Sequence, residues 1–304
     1  MKNKTSNKNL KKYISIIILI AIFLIILLIY IPYTNAIQLT QLKNNGHSQM
    51  MGYIIKTKND KTIIIDGGTH EDTENLINYI KNDKNKVDAW FITHPHQDHA
   101  SAIIDIINNT DIQIDKIYVT LNNLEWYIEK EPQRAQEFKD FFNAIENDRI
   151  KENVQEVSLH QNIQIDNINC EILGIKNPEI DNKPVNNSSM VIKMQINNKK
   201  ILFLGDTAEE SQKKLIENNS KEKLKADIVQ MAHHGQNGVN EEFYKIVEPK
   251  ICMWPTPDWL WANDAGQGED TGPWLTKTTR KWIENLGVKQ NIIEKDGDIT
   301  IKVW

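Results

Sequence analysis

The feature that most constrains this chain is a cluster of three histidines and an aspartate directly after an apolar segment. Val87–Thr93 has the pattern of a buried strand, and the hexapeptide HPHQDH follows it without a gap at residues 94–99. His94 and His96 are two residues apart, so their side chains point to the same side of an extended chain. Imidazole and carboxylate groups are ligands that Zn²⁺, Mn²⁺ and iron accept. The cluster therefore predicts a metal site at the end of a strand.

Two later strand ends carry residues of the same chemical kind. The apolar segment Lys199–Leu204 runs into Gly-Asp-Thr, which places Asp206 at its tip. A carboxylate in that position can bridge two metal ions about 3.5–4 Å apart. Asp227–Ala232 reads as another strand, and it ends in the pair His233 and His234 followed by glycine. Together with the hexapeptide, these two ends predict a single centre with more than one metal ion.

Composition and charge place further limits on the chain. Of its 304 residues 40% are hydrophobic and 25% charged, which is ordinary for a globular protein of one domain or two small ones. The two cysteines exclude a disulfide framework and a four-cysteine zinc site. The chain has a formal charge of −5, and its first 36 residues carry five lysines and no acid, which leaves −10 on the remainder. An acidic body argues against broad, unspecific binding of nucleic acid.

The amino-terminal region predicts a membrane segment. Residues 14–31 are eighteen almost uniformly apolar residues preceded by lysines, and a helix of that length is about 27 Å long, close to the thickness of a bilayer core. The positive-inside rule then predicts a cytoplasmic basic tip at 1–12, a single transmembrane anchor at 13–31, a linker at 32–45 and an extracytoplasmic body at 46–304. The alternative is a signal sequence cleaved after Ala36, which would make the protein secreted.

The body alternates short β-rich segments with helical ones. The predicted strands are Met50–Thr57, Thr62–Ile65, Val87–Thr93, Lys116–Thr120, Ile163–Ile165, Asn169–Ile175, Met190–Ile196, Ile201–Leu204, Asp227–Met231, Ile251–Trp254 and Ile299–Val303. The predicted helices are Glu71–Asn82, Ala100–Ile107, Pro132–Ile145, Glu209–Glu217, Glu241–Val247 and Lys277–Leu286. Two β-rich blocks, each with helices, predict an α/β fold in which two sheets face each other with helices outside.

These elements in this order resemble the metallo-β-lactamase superfamily over roughly residues 46–304. The hexapeptide at 94–99 matches the signature HxHxDH of that superfamily, and Asp66-Gly67-Gly68 matches the end of its first-motif strand. Asp206 corresponds to its bridging aspartate. The resemblance implies an αββα sandwich with a dinuclear metal site at one edge and the activity of a metal-dependent hydrolase.

The resemblance also implies which residues form the site. The metal ligands it implies are His94 and His96 for one ion, Asp98, His99 and His233 for the other, and Asp206 between them. His234 would lie beside the substrate as a neighbouring group or proton donor, so Asp98 and His234 are the predicted catalytic residues. Which of His233 and His234 binds metal stays open. The implied cofactor is Zn²⁺, as one or two ions, with Mn²⁺ as the alternative.

One departure from the superfamily pattern concerns the first ion. The superfamily usually has another histidine before the strand that leads to the bridging aspartate, where this chain has Asn186-Asn187-Ser188-Ser189. This arrangement, followed by His-His-Gly, resembles the branch of the hydrolase domain of ComEC/Rec2 competence proteins. A ligand set with one histidine fewer leaves positions open for water or phosphate oxygens and permits harder metals such as Mn²⁺.

The sequence therefore predicts hydrolysis of a phosphoester, by a phosphodiesterase or a nuclease-like enzyme, on a small-molecule or polymeric substrate. Nucleic acid is disfavoured by the acidic body, and the membrane is a partner through the amino-terminal segment. The alternative is a binding module for an envelope component, without catalysis. A loop between Trp254 and Trp274 that also holds Trp259 and Trp261 would then recognise the ligand.

Overall fold

A computed structural model describes residues 13–26, 36–81 and 84–303 of the chain. Contacts within the chain separate a body, Ile37–Val303, from the amino-terminal residues up to Ala36. Residues 13–26 are helical (α1). In the part of the chain that the structure describes, no helix has the length and apolar character needed to cross a bilayer. Part of the predicted anchor, 27–31, and the basic tip, 1–12, lie outside that part, so the transmembrane helix has no support from the structure and stays a prediction.

The strands are short and are distributed over the whole body. Within the described residues they are β1 (Ile37–Gln41), β2 (Gly52–Lys56), β3 (Thr62–Asp66), β4 (Lys86–Val87), β5 (Ala89–Phe91), β6 (Gln113–Ile114), β7 (Ile117–Val119), β8 (Val154–Glu156), β9 (Asn162–Ile165), β10 (Ile168–Gly174), β11 (Val191–Ile196), β12 (Lys199–Phe203), β13 (Ile228–Gln230), β14 (Ile251–Trp254), β15 (Gln290–Ile293) and β16 (Ile299–Val303).

The helices fall between the strands, as the sequence predicted. The α-helices of the body are α2 (Thr73–Lys81), α3 (Gln97–Asn109), α4 (Leu124–Lys130), α5 (Ala135–Ile145), α6 (Glu209–Asn218), α7 (Lys221–Leu224), α8 (Glu241–Val247), α9 (Asp258–Trp261) and α10 (Thr276–Asn285). Short 3₁₀ helices are His70–Asp72, Pro132–Arg134, Lys151–Asn153, Asn186–Ser188, Ala232–Gly235 and Glu294–Asp296.

Two mixed sheets form the body. Each has seven strands, in the orders β16-β1-β2-β3-β5-β7-β8 and β15-β14-β13-β12-β11-β10-β9, and β4 pairs with β6 beside them. In both sheets one half is antiparallel and the other parallel. The parallel halves need long crossover connections, which explains why helices cover the outer faces.

Layers of buried apolar side chains hold the sheets and helices together. The inner core joins the two sheets, and the rings of Tyr53 and Phe203 meet there edge to face with centroids 5.2 Å apart. Neighbouring residues of β5 show the strand periodicity: Phe91 enters the inner core and Trp90 enters the core under α3 and α5. A third core lies between the second sheet and its helices. The predicted α/β sandwich of αββα layers is confirmed.

The amino-terminal boundary of the body differs from the sequence prediction. β1 lies inside the segment 32–45 that was predicted to be a linker, and it pairs antiparallel with β2 and β16. Leu39 is buried in the inner core. The body thus begins at Ile37 instead of Gly46. The pairing of β1 with β16 joins opposite ends of the chain, and no local pattern in the sequence reports it.

The predicted strand Val87–Thr93 is divided in the structure. β4 and β5 are separated by Asp88, whose carboxylate accepts hydrogen bonds from the backbone N–H of Thr62 at 2.9 Å and from Lys61 Nζ at 2.7 Å. These bonds hold Asp88 at the start of β3, so the chain leaves β4 there and enters the first sheet as β5. The predicted helix Ala100–Ile107 begins earlier, at Gln97.

One buried carboxyl group forms no ion pair among the residues that the structure describes. Glu294 is fully buried at the start of a 3₁₀ helix, and its Oε1 accepts a hydrogen bond from the backbone N–H of Asn44 at 3.0 Å. Burial raises the pKa of Glu294 well above its usual value, and the negative charges of Asp72 and Asp258 raise it further. Because the folded pKa exceeds the unfolded one, the stabilisation is complete at low pH and is lost as the pH rises through the folded pKa.

We predict that Glu294→Gln increases the free energy of unfolding at about pH 8 and leaves it nearly unchanged at about pH 4, because glutamine needs no proton to stay neutral. Denaturant unfolding at the two pH values measures the change. Glu217→Gln, at an exposed position of α6, is the control. The same pH dependence of stability in wild type and Glu294→Gln would contradict the prediction.

Candidate metal centre

The predicted site residues meet at one edge of the sandwich. β3 and β5 are parallel neighbours in the first sheet, and β12 and β13 are parallel neighbours in the second. The hexapeptide follows β5, Asp206 follows β12, and the histidine pair follows β13. The carboxyl ends of parallel strands lie at the same edge, which is where ligand sites of α/β proteins form.

One group of four buried residues contains Asp98, His99, Asp206 and His234, whose donor atoms all lie within 4.8 Å of one another. His99 Nε2 is 3.3 Å from Asp206 Oδ1, and His234 Nε2 is 3.2 Å from Asp98 Oδ2. Asp98 and His99 occupy the first turn of α3, where the helix dipole favours a carboxylate.

A second group contains His94, His96 and Asp206. His94 Nε2 is 3.0 Å from His96 Nδ1 and 3.8 Å from Asp206 Oδ2. His233 lies beside it, with Nε2 at 3.6 Å from the same oxygen of Asp206. One oxygen of Asp206 thus faces each group, which is the geometry expected of a bridging carboxylate.

In each histidine of these two groups, one ring nitrogen contacts a residue outside the metal-binding cluster. His96 Nε2 is 2.9 Å from Glu131 Oε2, His99 Nδ1 is 2.8 Å from Asp66 Oδ2, His234 Nδ1 is 2.9 Å from the carbonyl oxygen of Pro255, and His94 Nδ1 is 3.1 Å from Thr93 Oγ1. Such contacts fix the orientation of a metal-binding imidazole and its tautomer. They leave the other nitrogen of each ring facing inward.

The inward-facing atoms fit divalent metal ions. His99 Nε2, Asp206 Oδ1 and His234 Nε2 are buried and have no hydrogen-bond partner among the described residues. Buried polar atoms without partners are costly, and metal ligation satisfies imidazole and carboxylate groups together. The donor set of nitrogen and carboxylate oxygen suits zinc, manganese or iron. The His/Asp cluster is therefore a metal-binding cluster by its chemistry and its burial.

The charges of the cluster are compatible with this role. Burial lowers the pKa of His94 well below its usual value, and the neighbouring His99 and His96 lower it further, so His94 is neutral as a metal ligand must be. Burial alone would raise the pKa of Asp206, but His99, His233 and His234 around it lower that pKa well below its usual value. Asp206 is therefore ionised.

The histidine pair adopts a backbone that directs its two rings to different places. His233 has φ 50° and His234 has φ 55°, both in the left-handed region, and Gly235 follows at φ 74°. Two such non-glycine residues cost on the order of 1–3 kcal/mol each and occur mainly at functional sites. The resemblance to the superfamily implied His233 in the group of Asp98 and His99 and left the choice between His233 and His234 open. The structure places His234 in that group and His233 beside the other one.

The segment that replaces the usual histidine has a structural role of its own. Asn187 Oδ1 accepts hydrogen bonds from the backbone N–H groups of Ala208 and Ser211 and thereby holds the start of α6. Ser189 Oγ accepts a hydrogen bond from the backbone N–H of Asp206 at 3.0 Å. Asn186 Nδ2 is 3.1 Å from His233 Nε2. These residues position the bridging aspartate and its neighbours.

Three residues around the centre were not predicted. Asp66 was noted only as part of a matching strand end, although a carboxylate after a buried strand is the same signal that identified Asp206. Glu131 ends α4 and Gln49 lies in the loop before β2, where no local pattern marks them. Gln49 Nε2 donates a hydrogen bond to Asp98 Oδ2 at 2.9 Å.

The tryptophans of the loop after β14 pack mainly against each other. Trp254 is buried and lies edge to face with Trp261 at 5.3 Å between centroids, and Trp259 does the same with Trp274 at 4.9 Å. The guanidinium of Arg280 covers the ring of Trp261 at 4.0 Å. These contacts favour a packing role for the rings over recognition of a ligand.

Comparison with known families identifies the class. The model of the metallo-beta-lactamase superfamily matches residues 51–245, which is more than half of the chain. The chain belongs to the metallo-β-lactamase superfamily. No curated protein matches the sequence.

Solved structures share the fold at low sequence identity. The metallo-beta-lactamase fold protein YhfI from Bacillus subtilis is 12% identical with a TM-score of 0.55, over 88% of this chain and 100% of that one. Zn²⁺-bound PqqB from Methylobacterium extorquens is 10% identical with a TM-score of 0.51, over 88% and 100%. CmlA, a diiron beta-hydroxylase from Streptomyces venezuelae, is 13% identical with a TM-score of 0.52, over 87% of this chain and 54% of that one. At these identities the similarity shows the fold alone.

We predict that Asp66→Asn weakens metal binding by about 10–100-fold, because it removes the charge that orients and polarises His99 from behind. Metal retained after dialysis against graded chelator concentrations measures the change. Asp105→Asn, which removes a carboxylate from the exposed His70 outside the metal-binding cluster, is the control. Equal metal retention by Asp66→Asn and the control would show that Asp66 does not support a ligand.

Proposed function

We propose that the protein is a metal-dependent hydrolase that cleaves phosphoesters, in the manner of a phosphodiesterase. The observation that carries the proposal is Asp206, whose two carboxylate oxygens face two separate groups of imidazole donors. Two divalent ions held there would lower the pKa of a water molecule toward neutrality and stabilise the attacking and leaving oxygens of an in-line displacement. The preferred cofactor is Zn²⁺, with Mn²⁺ as the alternative.

The residues of the chain have distinct roles in this proposal. Asp206 holds the two groups at a fixed separation, since the backbone N–H of Asp206 is tied to Ser189. Asp98 and His234 were the predicted catalytic residues. Because His234 Nε2 faces Asp98 Oδ2 and Asp206 Oδ1 inside the buried cluster, we assign both residues as ligands.

We also propose that His233 and His234 have the reverse of the roles that the resemblance to the superfamily implied. His234 joins Asp98 and His99 at the second ion, and His233 supplies a nitrogen to the first ion, beside His94 and His96. The first ion otherwise lacks the superfamily's additional histidine. The position of His233 Nε2 at 3.6 Å from Asp206 Oδ2 supports this exchange.

We predict that His234→Ala loses about half of the bound metal, because it removes a nitrogen from the second ion alone. His233→Ala should lose metal from the other position. Metal content measured on each purified variant and on the double variant checks the assignment, since losses at separate ions add. Full metal content in His234→Ala would refute it.

Phosphoesters are the proposed substrates because two ions bridged by Asp206 would stabilise both the attacking and the leaving oxygen at phosphorus. Positions not taken by protein ligands are available to phosphate oxygens, and the segment Asn186–Ser189 gives this chain its resemblance to the ComEC/Rec2 branch. The body's formal charge of about −10 disfavours a nuclease, since long polyanions are repelled at distances within the Debye length.

The class of activity is tested with bis(p-nitrophenyl) phosphate. We predict metal-dependent turnover that a chelator abolishes and that Zn²⁺ or Mn²⁺ restores. Asp206→Ala should retain the fold and lose both metal and turnover, because one carboxylate serves both ions. Turnover that survives complete removal of metal, or no turnover in fully metal-loaded protein, would contradict the proposal.

A non-catalytic binding module on the same fold is less well supported. The ligand set around Asp206 is nearly complete, and the loop tryptophans that would recognise an envelope component pack in pairs. From the sequence alone, we also propose that the amino-terminal segment anchors the protein in the cell membrane with the body extracytoplasmic, or directs its secretion if it is cleaved.

A further inference from the structure

A cavity of about 390 Å³ is connected to the metal centre through hydrogen bonds of two of its lining residues. Gln236 and Asn237 line it, and both reach the centre: Gln236 Nε2 donates to Gln49, which holds Asp98, and the carbonyl oxygen of Asn237 is 3.4 Å from His233 Nδ1. A volume of this size lies in the lower part of the range of ligand pockets, about 300–1,000 Å³.

Lys183 places a positive charge in the wall of this cavity. Its side chain is half-buried, and Nζ donates a hydrogen bond to the carbonyl oxygen of Asn237 at 2.8 Å. Among the residues that the structure describes, no carboxylate forms an ion pair with it. The negative charges that act on it most belong to Glu210, which accepts hydrogen bonds from two asparagines, and to Asp206 in the metal centre.

The backbone at Lys183 is unusual as well. Lys183 has φ 43°, in the left-handed region that side chains other than glycine, asparagine and aspartate seldom adopt. Its carbonyl oxygen accepts a hydrogen bond from the backbone N–H of Asn187, which ties this conformation to the segment beside Asp206. The ammonium group donates to the same carbonyl oxygen of Asn237 that lies 3.4 Å from His233 Nδ1, and a strained backbone at such a position indicates a functional role.

The ammonium group of Lys183 has donors available for an anion. It has three N–H donors, of which the contact with Asn237 uses one, so two remain for a ligand. A half-buried cation without a carboxylate partner has lost part of its hydration, and an anionic ligand would compensate that loss. The apolar side chains of Val239, Leu275 and Trp282 line the same cavity and offer contact for an uncharged group.

We propose that Lys183 determines substrate specificity by binding a non-bridging oxygen of the substrate's phosphate, while the apolar wall of the cavity contacts the alcohol group. The protein then selects anionic phosphodiesters over neutral esters. Glu209, exposed at the cavity, disfavours a second phosphate nearby, so the preferred substrate carries a single phosphate. The selection among esters rests on the proposed hydrolase function, whereas the binding of an anion by Lys183 does not.

The test compares Lys183→Gln with Lys183→Arg in the full-length, metal-loaded protein. Glutamine can still donate a hydrogen bond to Asn237 but has no charge, and arginine keeps the charge. Lys213→Gln, at an exposed position of α6, is the matched control. Binding of inorganic phosphate is measured by calorimetry. Hydrolysis is measured with bis(p-nitrophenyl) phosphate and with the neutral triester dimethyl p-nitrophenyl phosphate, and metal content is measured for every variant.

We expect Lys183→Gln to weaken phosphate binding by about tenfold and to raise KM for the diester by a similar factor, because it removes one charge-assisted hydrogen bond. Hydrolysis of the triester and the metal content should match wild type, and Lys183→Arg should bind phosphate within about threefold of wild type. A purely structural role of Lys183 would change the diester and the triester together.

Unchanged phosphate affinity in Lys183→Gln would overturn the proposal, and so would equal losses for both esters or a loss of metal. If the wild-type protein hydrolyses neither ester, the proposed function fails, but the calorimetric comparison still decides whether Lys183 binds an anion. The two failures are therefore distinguishable.

Discussion

The burial of Asp206 between two sets of imidazoles is the interaction on which the rest of the site depends. A carboxylate at 1% exposure is stable as an anion only where compensating groups surround it, and His99, His233 and His234 provide that compensation. His99 follows a strand of the first sheet, whereas His233 and His234 follow a strand of the second. These histidines can surround the charge of Asp206 only if the carboxyl ends of the parallel strands of both sheets lie side by side. The inner apolar core between the sheets, where Tyr53 packs against Phe203, holds these strand ends together.

The orientation of the rings depends on parts of the chain that bear no metal-binding motif. Asp66 at the end of β3, Glu131 at the end of α4 and the carbonyl oxygen of Pro255 after β14 each hold one histidine from behind. Each of these partners lies on a different element, so the site is as rigid as the packing among those elements. This distribution also explains why the loop after β14 contributes to the site through its backbone, while its tryptophans pack into the body.

The sequence predicted those features of the fold and the site that depend on local sequence patterns. The strand at β2, the bounds of α8 and the convergence of Asp206 with the hexapeptide all follow from periodicity and strand ends. The pairing of β1 with β16 could not be predicted, because it joins segments from opposite ends of the chain. The roles of His233 and His234 could not be separated either. Their rings point to different places because both residues have a left-handed backbone, and a histidine in the sequence does not indicate that conformation as a glycine would.

The charge distribution of the body connects fold and selectivity. A negative surface repels anions over about 8–10 Å at physiological ionic strength, whereas an ammonium group in a partly desolvated cavity attracts them at contact distance. A long polyanion would be repelled by the negative surface along its whole length, but only one of its phosphates would contact the ammonium group. A small ester with one negative charge meets little repulsion and gains the same contact. If the proposed function holds, Lys183, which lines the cavity and donates a hydrogen bond to Asn237, therefore favours small monoanionic phosphoesters over polymeric nucleic acid.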